Sequence, residues 1–448
     1  FYKKYLLLAI PMILQNAITN LVSFLDNIMV GQLGTEQMSG VAIVNQLIFV
    51  YNLAIFGAVS AASIFGAQYF GKGNHKGHMY SFRFKLYATL LVTGGAILLF
   101  LTKGSALISL YLTDTVGNGA TDLALQYGLE YLAIMMVGLI PFAVNQSYAT
   151  NIKETGQTFI PMLASFVAVG TNAILDYLMI FGIGPFPELG VQGAALATVI
   201  ARYIEALIVV IWAHIHRGKN RYLEGAYTGF GIPLAELKAI LIKGFPLMMN
   251  EVLWAAGMTT VTQCYSVRGL DVVAGLNIAS TITNLFNIVY LQLGSCISIV
   301  VGQYLGAGKL EDAKDADNKM IVFSVFCCVI MAALMFVVGG FFPGIYNTTE
   351  EIRELATSFI AVSAIIMPFC AFSHASYFTL RSGGKTVVTF LFDSVFTWVI
   401  VVPAAYLLAH FTGLGIVSIY FLVQGTELIK VIIGYLMVKS NVWVVQMV

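Results

Sequence analysis

Long apolar runs alternate with short polar joints along this chain. Twelve runs are long enough to cross about 30 Å of hydrocarbon as helices. They cover roughly 5–30, 41–66, 82–103, 127–148, 159–183, 191–215, 240–265, 274–300, 319–342, 356–378, 386–409 and 413–438. In such a medium a helix is the element that satisfies its backbone hydrogen bonds within one segment. The pattern therefore predicts an all-α membrane protein with twelve transmembrane helices. The longest polar-leaning joint, HRGKNRYLEGAYTGFGIPLAELKA at 216–239, falls between the sixth and seventh runs. It reads as a cytoplasmic lobe linker. Its end, Pro233–Lys243, has apolar residues at helical spacing that suit a helix lying along the membrane surface.

The two halves repeat each other. GAQYFGKG at Gly66–Gly73 returns as VGQYLGAG at Val301–Gly308, an offset of 235. Pro11 and Pro246, Gly34 and Gly269, and Gly40 and Gly275 share that offset. KETGQT at Lys153–Thr158 matches RSGGKT at Arg381–Thr386 with an offset of 228. Several matches in order predict two six-helix pseudo-symmetric lobes, 1–215 and 240–448. Such duplication marks secondary transporters, in which two similar half-bundles rock about a central site.

Lysine and arginine set the expected orientation. With the N-terminus inside, the cytoplasmic joints and helix ends hold eighteen of them, and the external ones only Lys103, Arg268 and Arg353. Both termini are therefore expected in the cytoplasm, and the lobes are expected to be parallel repeats in a multi-pass cell-membrane protein. Composition agrees: 59% of residues are hydrophobic and 10% charged, against about 25% charged in soluble domains. A net charge of +1 speaks against a nucleic-acid partner. Cys264, Cys296, Cys327, Cys328 and Cys370 lie inside apolar runs, with spacing that fits neither a zinc site nor a disulfide framework. The first run carries an aspartate and leads into the repeat, so it reads as a structural span rather than a signal peptide.

The order of runs, the repeat and several motifs together resemble the multidrug and toxic compound extrusion family, MATE. The matching pieces are FLDNIMVGQLG at Phe24–Gly34, GAQYFGKG, KETGQT, ELGVQGAALAT at Glu188–Thr198 and GFPLMMNE at Gly244–Glu251. The resemblance spans the whole chain. It implies two lobes forming a V, and export of amphipathic or cationic organic compounds against inward flow of Na+ or H+. It implies no cofactor beyond that ion, no catalysis, and small-molecule organic substrates handled by a monomer in the membrane lipid.

Ionisable groups inside spans are costly and hence functional candidates. Asp26 stands in an apolar stretch of the first run, over four helical turns from Lys3 and Lys4. The resemblance places a cation-binding aspartate there. Asn172 and Asp176, four residues apart on the fifth run, share one helical face. A carboxylate and an amide offer oxygen ligands to a hard cation such as Na+. A mutual hydrogen bond that merely stabilises the helix is the alternative reading. The family's Asn-x-x-x-Asp pair falls on these two residues, and its third neighbour on Thr198. Asn20 and Asn45 read as packing amides.

Glu251 follows Pro246 on the seventh run, and its counterpart in the first lobe is Asn16, so the lobes differ chemically. Branches of the family pair this glutamate with an aspartate on the tenth span. Here Cys370 stands in that place, and His374, one turn later, is the nearest titratable candidate for a substrate or coupling role. Arg202 with Glu205, and Glu427 with Lys430, read as self-neutralising i,i+3 pairs. Asp393 lacks a partner in sequence and is expected to reach the interface or Lys385. Met and aromatic side chains, 17 Met, 22 Tyr and 31 Phe, suit an adaptable lumen as well as ordinary packing.

Three other functions compete. A flippase for a lipid-linked precursor would want interior arginines for phosphate, and the spans offer Arg202 and Lys430, each beside an acid. An intramembrane protease could use Asp26 and Asp176 as a dyad, but hydrolysis does not call for a duplicated twelve-span bundle. A channel would show a filter or charged rings, and none is visible.

Overall fold

The structure is a computed structural model, which describes residues 1–112 and 120–448. Among these, twelve helices are long and apolar enough to cross a membrane. They are α1 (Tyr2–Gly31), α2 (Thr35–Lys72), α3 (His75–Ser109), α4 (Ala120–Glu154), α5 (Phe159–Phe181), α6 (Val191–Ile215), α7 (Leu234–Ser266), α8 (Leu270–Gly306), α9 (Leu310–Gly339), α10 (Glu350–Ser382), α11 (Thr386–Phe411) and α12 (Ile416–Lys439). Each predicted run lies on one helix, and most helices outrun it. Helix α2, at 38 residues, extends about 57 Å at 1.5 Å per residue. Its polar end, GAQYFGK, therefore continues as helix past the hydrocarbon. Residues 234–243, expected as a surface helix, are instead the first turns of α7.

Large apolar side chains such as Leu91, Leu101 and Val322 are exposed, as a lipid-facing surface requires. The interior uses small residues. On α6, Ala194, Ala195, Ala197 and Ala201 are buried, and Gly193 lies so close to the Met179 backbone on α5 that a side chain would not fit. With no hydrophobic drive between helices in lipid, such close approach supplies the dispersion contacts that hold them.

By backbone contacts the chain forms two units. One comprises 10–66 and 75–237, the other 1–9, 67–74 and 238–448. The change-over between Leu237 and Lys238 lies inside the expected linker and its helix. Residues 216–237 fold onto the first unit. Arg83 of α3 donates to the carbonyls of Gly225, Ala226 and Gly231 at 2.7–2.9 Å, and buried Tyr222 and Leu223 pack with Phe82 and Tyr148. The core of this unit joins α2, α4 and α6 through Val44, Ile55, Leu139, Ala143 and Val199.

In the second unit α10 packs on α8, α9 and α12. The end of α2 also belongs here. Gln68 bonds the carbonyls of Ser382 and Val445 at 2.9 and 3.2 Å and accepts from the Met447 amide at 2.8 Å. The repeated motifs around Gln68 and Gln303 meet reciprocally. A Cβ on Gly71 would strike the Gln303 backbone, and one on Gly306 would strike the Gln68 backbone. Both pairs obey the offset of 235, so the crossing has local two-fold symmetry. Glycine is required at both points because backbone cannot yield as a side-chain tip does. Gly306→Ala is expected to lower unfolding stability by about 1–3 kcal/mol through overpacking. Gly94→Ala, which meets nothing within 4 Å, serves as the neutral control in thermal unfolding of detergent-solubilised protein.

Candidate functional site

The first unit gathers the four residues expected to hold a cation. Asp26 on α1 and Asp176 on α5 bring their carboxyl groups against each other, with Asn172 beside Asp176. Asp176 has 0% exposure and Asn172 is also buried. The Asn172 amide donates to Thr198 Oγ1 of α6 at 3.4 Å. The alternative of a mutual Asn172–Asp176 brace within one helix does not account for the remaining lone pairs. Both oxygens of Asp176 and Oδ1 of Asp26 are buried with no hydrogen-bond donor among the described residues. Two adjoining carboxylates cannot both stay charged without a cation or a shared proton. Every ligand atom on offer is oxygen, the donor set of a hard cation. Asn45 accepts from Tyr131 at 3.2 Å, and Asn20 bonds its own helix at Asn16.

Three sequence expectations about charges are corrected. Arg202 does not pair with Glu205. Its guanidinium lies over the Phe142 ring at 5.0 Å, while Glu205 accepts from Ser165, which in turn accepts from Gln15 at 2.7 Å. Lys430 does not pair with Glu427 either. It reaches Asp393 on α11, Nζ to Oδ1, at 2.7 Å. Asp393 is thus neither at the interface nor bound to Lys385. The i,i+3 rule fails in both cases because it describes solvated helix faces. In a span, a charge turns toward the neighbouring helix that can bury it.

Asp393 anchors a wider network in the second unit. Asn250, on α7 just after Pro246, donates to Asp393 Oδ2 at 3.0 Å and toward Tyr377 at 3.4 Å. Ser394 donates to Asn250 Oδ1 at 2.7 Å. Asp393 lies where α11 widens into π-helical turns over Leu391–Val395, followed by Thr397–Val401, a feature common at functional positions. Glu251, the next residue on α7, faces the charges of Arg381 and Asp393. His374 donates its Nδ1 proton to the Cys370 carbonyl at 2.8 Å and packs on Tyr290. Both C-terminal candidates lie within electrostatic reach of Asp393, Glu251 also of Arg381 and His374 also of Lys430 and Glu427.

Two further buried clusters went unread in the sequence. Lys85 of α3 forms an ion pair with Glu154 at the end of α4 and donates to Asn151 at 2.6 Å, and His78 lies 3.2 Å from the same carboxylate. Gly66 makes room, since a Cβ there would meet the Glu154 carboxylate. In the second unit Asp317 accepts from Thr379 at 2.5 Å, and its other oxygen has no donor among the described residues. Lys85 and Glu154 stand near helix ends, where charge looks solvated, so burial gave no sequence signal. No group of three or more His, Cys, Asp or Glu side chains that could hold a metal ion occurs among the described residues.

Comparison with known proteins places this architecture. The MatE family profile matches residues 11–178 and 246–407, once in each repeat. The chain belongs to the MATE family. Members of this family are transporters, and the chain is a multi-pass membrane protein. A probable multidrug resistance protein NorM of Thermotoga maritima is 23% identical over 418 residues, 93% of this chain and 87% of that one. The NorM of Bacillus subtilis, also described as a probable multidrug resistance protein, is 23% identical over 425 residues, 92% of this chain and 90% of its own length. The outward-facing structure of a multidrug resistance MATE transporter superimposes with a TM-score of 0.88 at 20% identity, covering 98% of this chain and 95% of that one. The MATE fold is thus shared over nearly the whole chain.

The Lys85–Glu154 pair tests how these interiors tolerate charge. Lys85→Met leaves Glu154 buried without its ammonium and is expected to cost about 3–5 kcal/mol. Adding Glu154→Leu should recover most of it. Denaturant unfolding of the two variants in detergent measures both.

Proposed function

We propose that this MATE transporter exports amphipathic or cationic organic compounds across the cell membrane by alternating access, driven by inward movement of Na+ or H+. The oxygen cluster of Asp26, Asn172, Asp176 and Thr198 carries the reading. Both oxygens of Asp176 and Oδ1 of Asp26 have no donor among the described residues, so an incoming cation would gain them as ligands or as a shared proton site. Ion binding would change the charge where α1, α5 and α6 meet, and so bias one packing of these helices over another. We place both termini in the cytoplasm on the lysine and arginine distribution. The multidrug resistance names of the NorM relatives support the substrate class.

The flippase alternative gains no support from the geometry. A phosphate-bearing substrate needs an available cation, yet Lys430 is held by Asp393 and Arg202 lies over Phe142. The hydrolytic reading fares no better, because an aspartate dyad that activates a water has no use for a duplicated twelve-helix bundle.

Asp26→Asn and Asp176→Asn should each reduce gradient-driven ethidium uptake into inside-out vesicles at least tenfold, with folded protein retained by size-exclusion chromatography. Wild-type rates in both would refute the cation site. Imposing the sodium and pH gradients separately identifies the ion. For Glu251, a carboxylate facing Arg381 and Asp393, the expectation is selective. Glu251→Gln should weaken ethidium binding several-fold and leave neutral compounds unaffected. Equal loss of transport for all substrates with unchanged binding would assign Glu251 to coupling instead.

A further inference from the structure

The second unit holds an arrangement that an ordinary structural ion pair does not need. Lys430 Nζ, 2.7 Å from Asp393 Oδ1, also lies 5.3 Å from the Phe392 ring centre and 6.0 Å from that of Phe396. One carboxylate and two aromatic faces around a nitrogen cation make an ammonium-binding box. Asn250 holds the second carboxylate oxygen at 3.0 Å and is itself fixed by Ser394, so the acid is pre-oriented. Beside Ser394, spans α7 and α11 open a pocket of about 340 Å³ lined by Leu253, Ser394, Val395 and Trp398. Its lining is apolar, with an indole in its wall.

Lys430 also has a second place to go. Glu427, one turn earlier on α12, is within electrostatic reach of the ammonium. Its Oε1 is buried and has no donor among the described residues. When a substrate cation takes Asp393, Lys430 can move to Glu427, so that both acids are paired and the stranded charge that makes buried ion pairs costly to break is avoided. Lysine suits this exchange, because its ammonium is a point charge on a flexible four-carbon stem.

We propose that Asp393, Phe392 and Phe396 form an organic-cation subsite for lipophilic ammonium compounds, which Lys430 fills as a tethered occupant. A substrate cation entering from the Ser394 pocket takes the carboxylate and the aromatic faces, and Lys430 swings to Glu427. When the substrate leaves, Lys430 returns, so the box never holds an uncompensated acid. This inference rests on the export reading and deepens it, by naming where a cationic substrate is recognised.

The test is equilibrium binding of ethidium and of a neutral dye, Nile red, to the purified full-length protein in detergent with no ion gradient. Lys430→Met removes the competing occupant. Ethidium Kd should fall at least tenfold, with Nile red unchanged, and adding Asp393→Asn should cancel the gain. Glu427→Gln removes the waiting acceptor while leaving the Lys430–Asp393 pair in place. Its ethidium Kd should rise about fivefold. Unchanged or weaker ethidium binding by a folded Lys430→Met protein overturns the proposal. If Lys430→Met does not fold, Glu427→Gln decides, and an ethidium Kd equal to wild type overturns it. Wild-type protein that exports ethidium while both variants bind it normally sinks only this subsite. Wild-type protein that exports nothing under either gradient sinks the export reading instead.

Discussion

Hydrocarbon solvates no polar group, and this constraint shapes the molecule from backbone to side chain. It forces the backbone into helices. It sends short hydroxyls back onto their own helix, as when Thr19 bonds the Gln15 carbonyl at 2.8 Å and Thr259 that of Ala255 at 2.9 Å. It leaves the lipid face to Leu, Val, Ile and Phe. Above all it turns several long charged side chains inward, to meet a partner from another helix. Arg202 over Phe142, Lys430 on Asp393 and Lys85 on Glu154 are three solutions to one problem. They differ in what the neighbouring helix could offer.

The duplicated scaffold makes the comparison quantitative. With the repeat offset of 235 for α1 against α7 and 228 for α5 against α11, Gln15 corresponds to Asn250 and Ser165 to Asp393. Aligning the glycines that open α6 and α12, Gly190 and Gly415, pairs Glu205 with Lys430. In each unit these three side chains touch in the same order. Gln15 bonds Ser165, which bonds Glu205; Asn250 bonds Asp393, which binds Lys430. The place where three helices meet is inherited, and its polarity is inverted. One turn-rich neighbourhood ended as an acid held by a hydroxyl, the other as an ammonium held by an acid.

Much of this was legible in the sequence. Apolar run length gave all twelve helices, because hydrocarbon thickness sets a minimum span whatever the fold. The repeat gave the duplication, and the Asn172–Asp176 spacing gave a shared face. That Asp26 approaches Asp176 came only from family resemblance, since no local pattern encodes a contact across 150 residues of chain. The charge pairs were misread for a definite reason. Spacing of three along a helix predicts contact when water is the competing environment. Inside a span the competitor is an adjacent helix, and its identity is a tertiary fact. Lys85, at the start of the third apolar run, and Glu154, past the end of the fourth, were passed over because charges there normally meet water, whereas here α3 and α4 pack together and bury both.

The positions equivalent to Asp26 and Asp176 show where duplication stopped. At offsets of 235 and 228 they are Val261 and Ala404, so the oxygen cluster of the first unit has no copy in the second. Conversely, the Asp393 carboxylate and its ammonium replace Ser165 and Glu205 of the first. Coupling demands such inequality. An ion can shift a conformational equilibrium only by its difference in affinity for two states, and a cargo exchanged against it needs a reciprocal difference. A duplicated bundle supplies two packings of near-equal energy for the same chain. Divergence of a few buried side chains would then give each unit a different ligand preference. The polar interior of this protein is where that divergence is concentrated, while the glycine crossing of Gly71 and Gly306 has kept its symmetry.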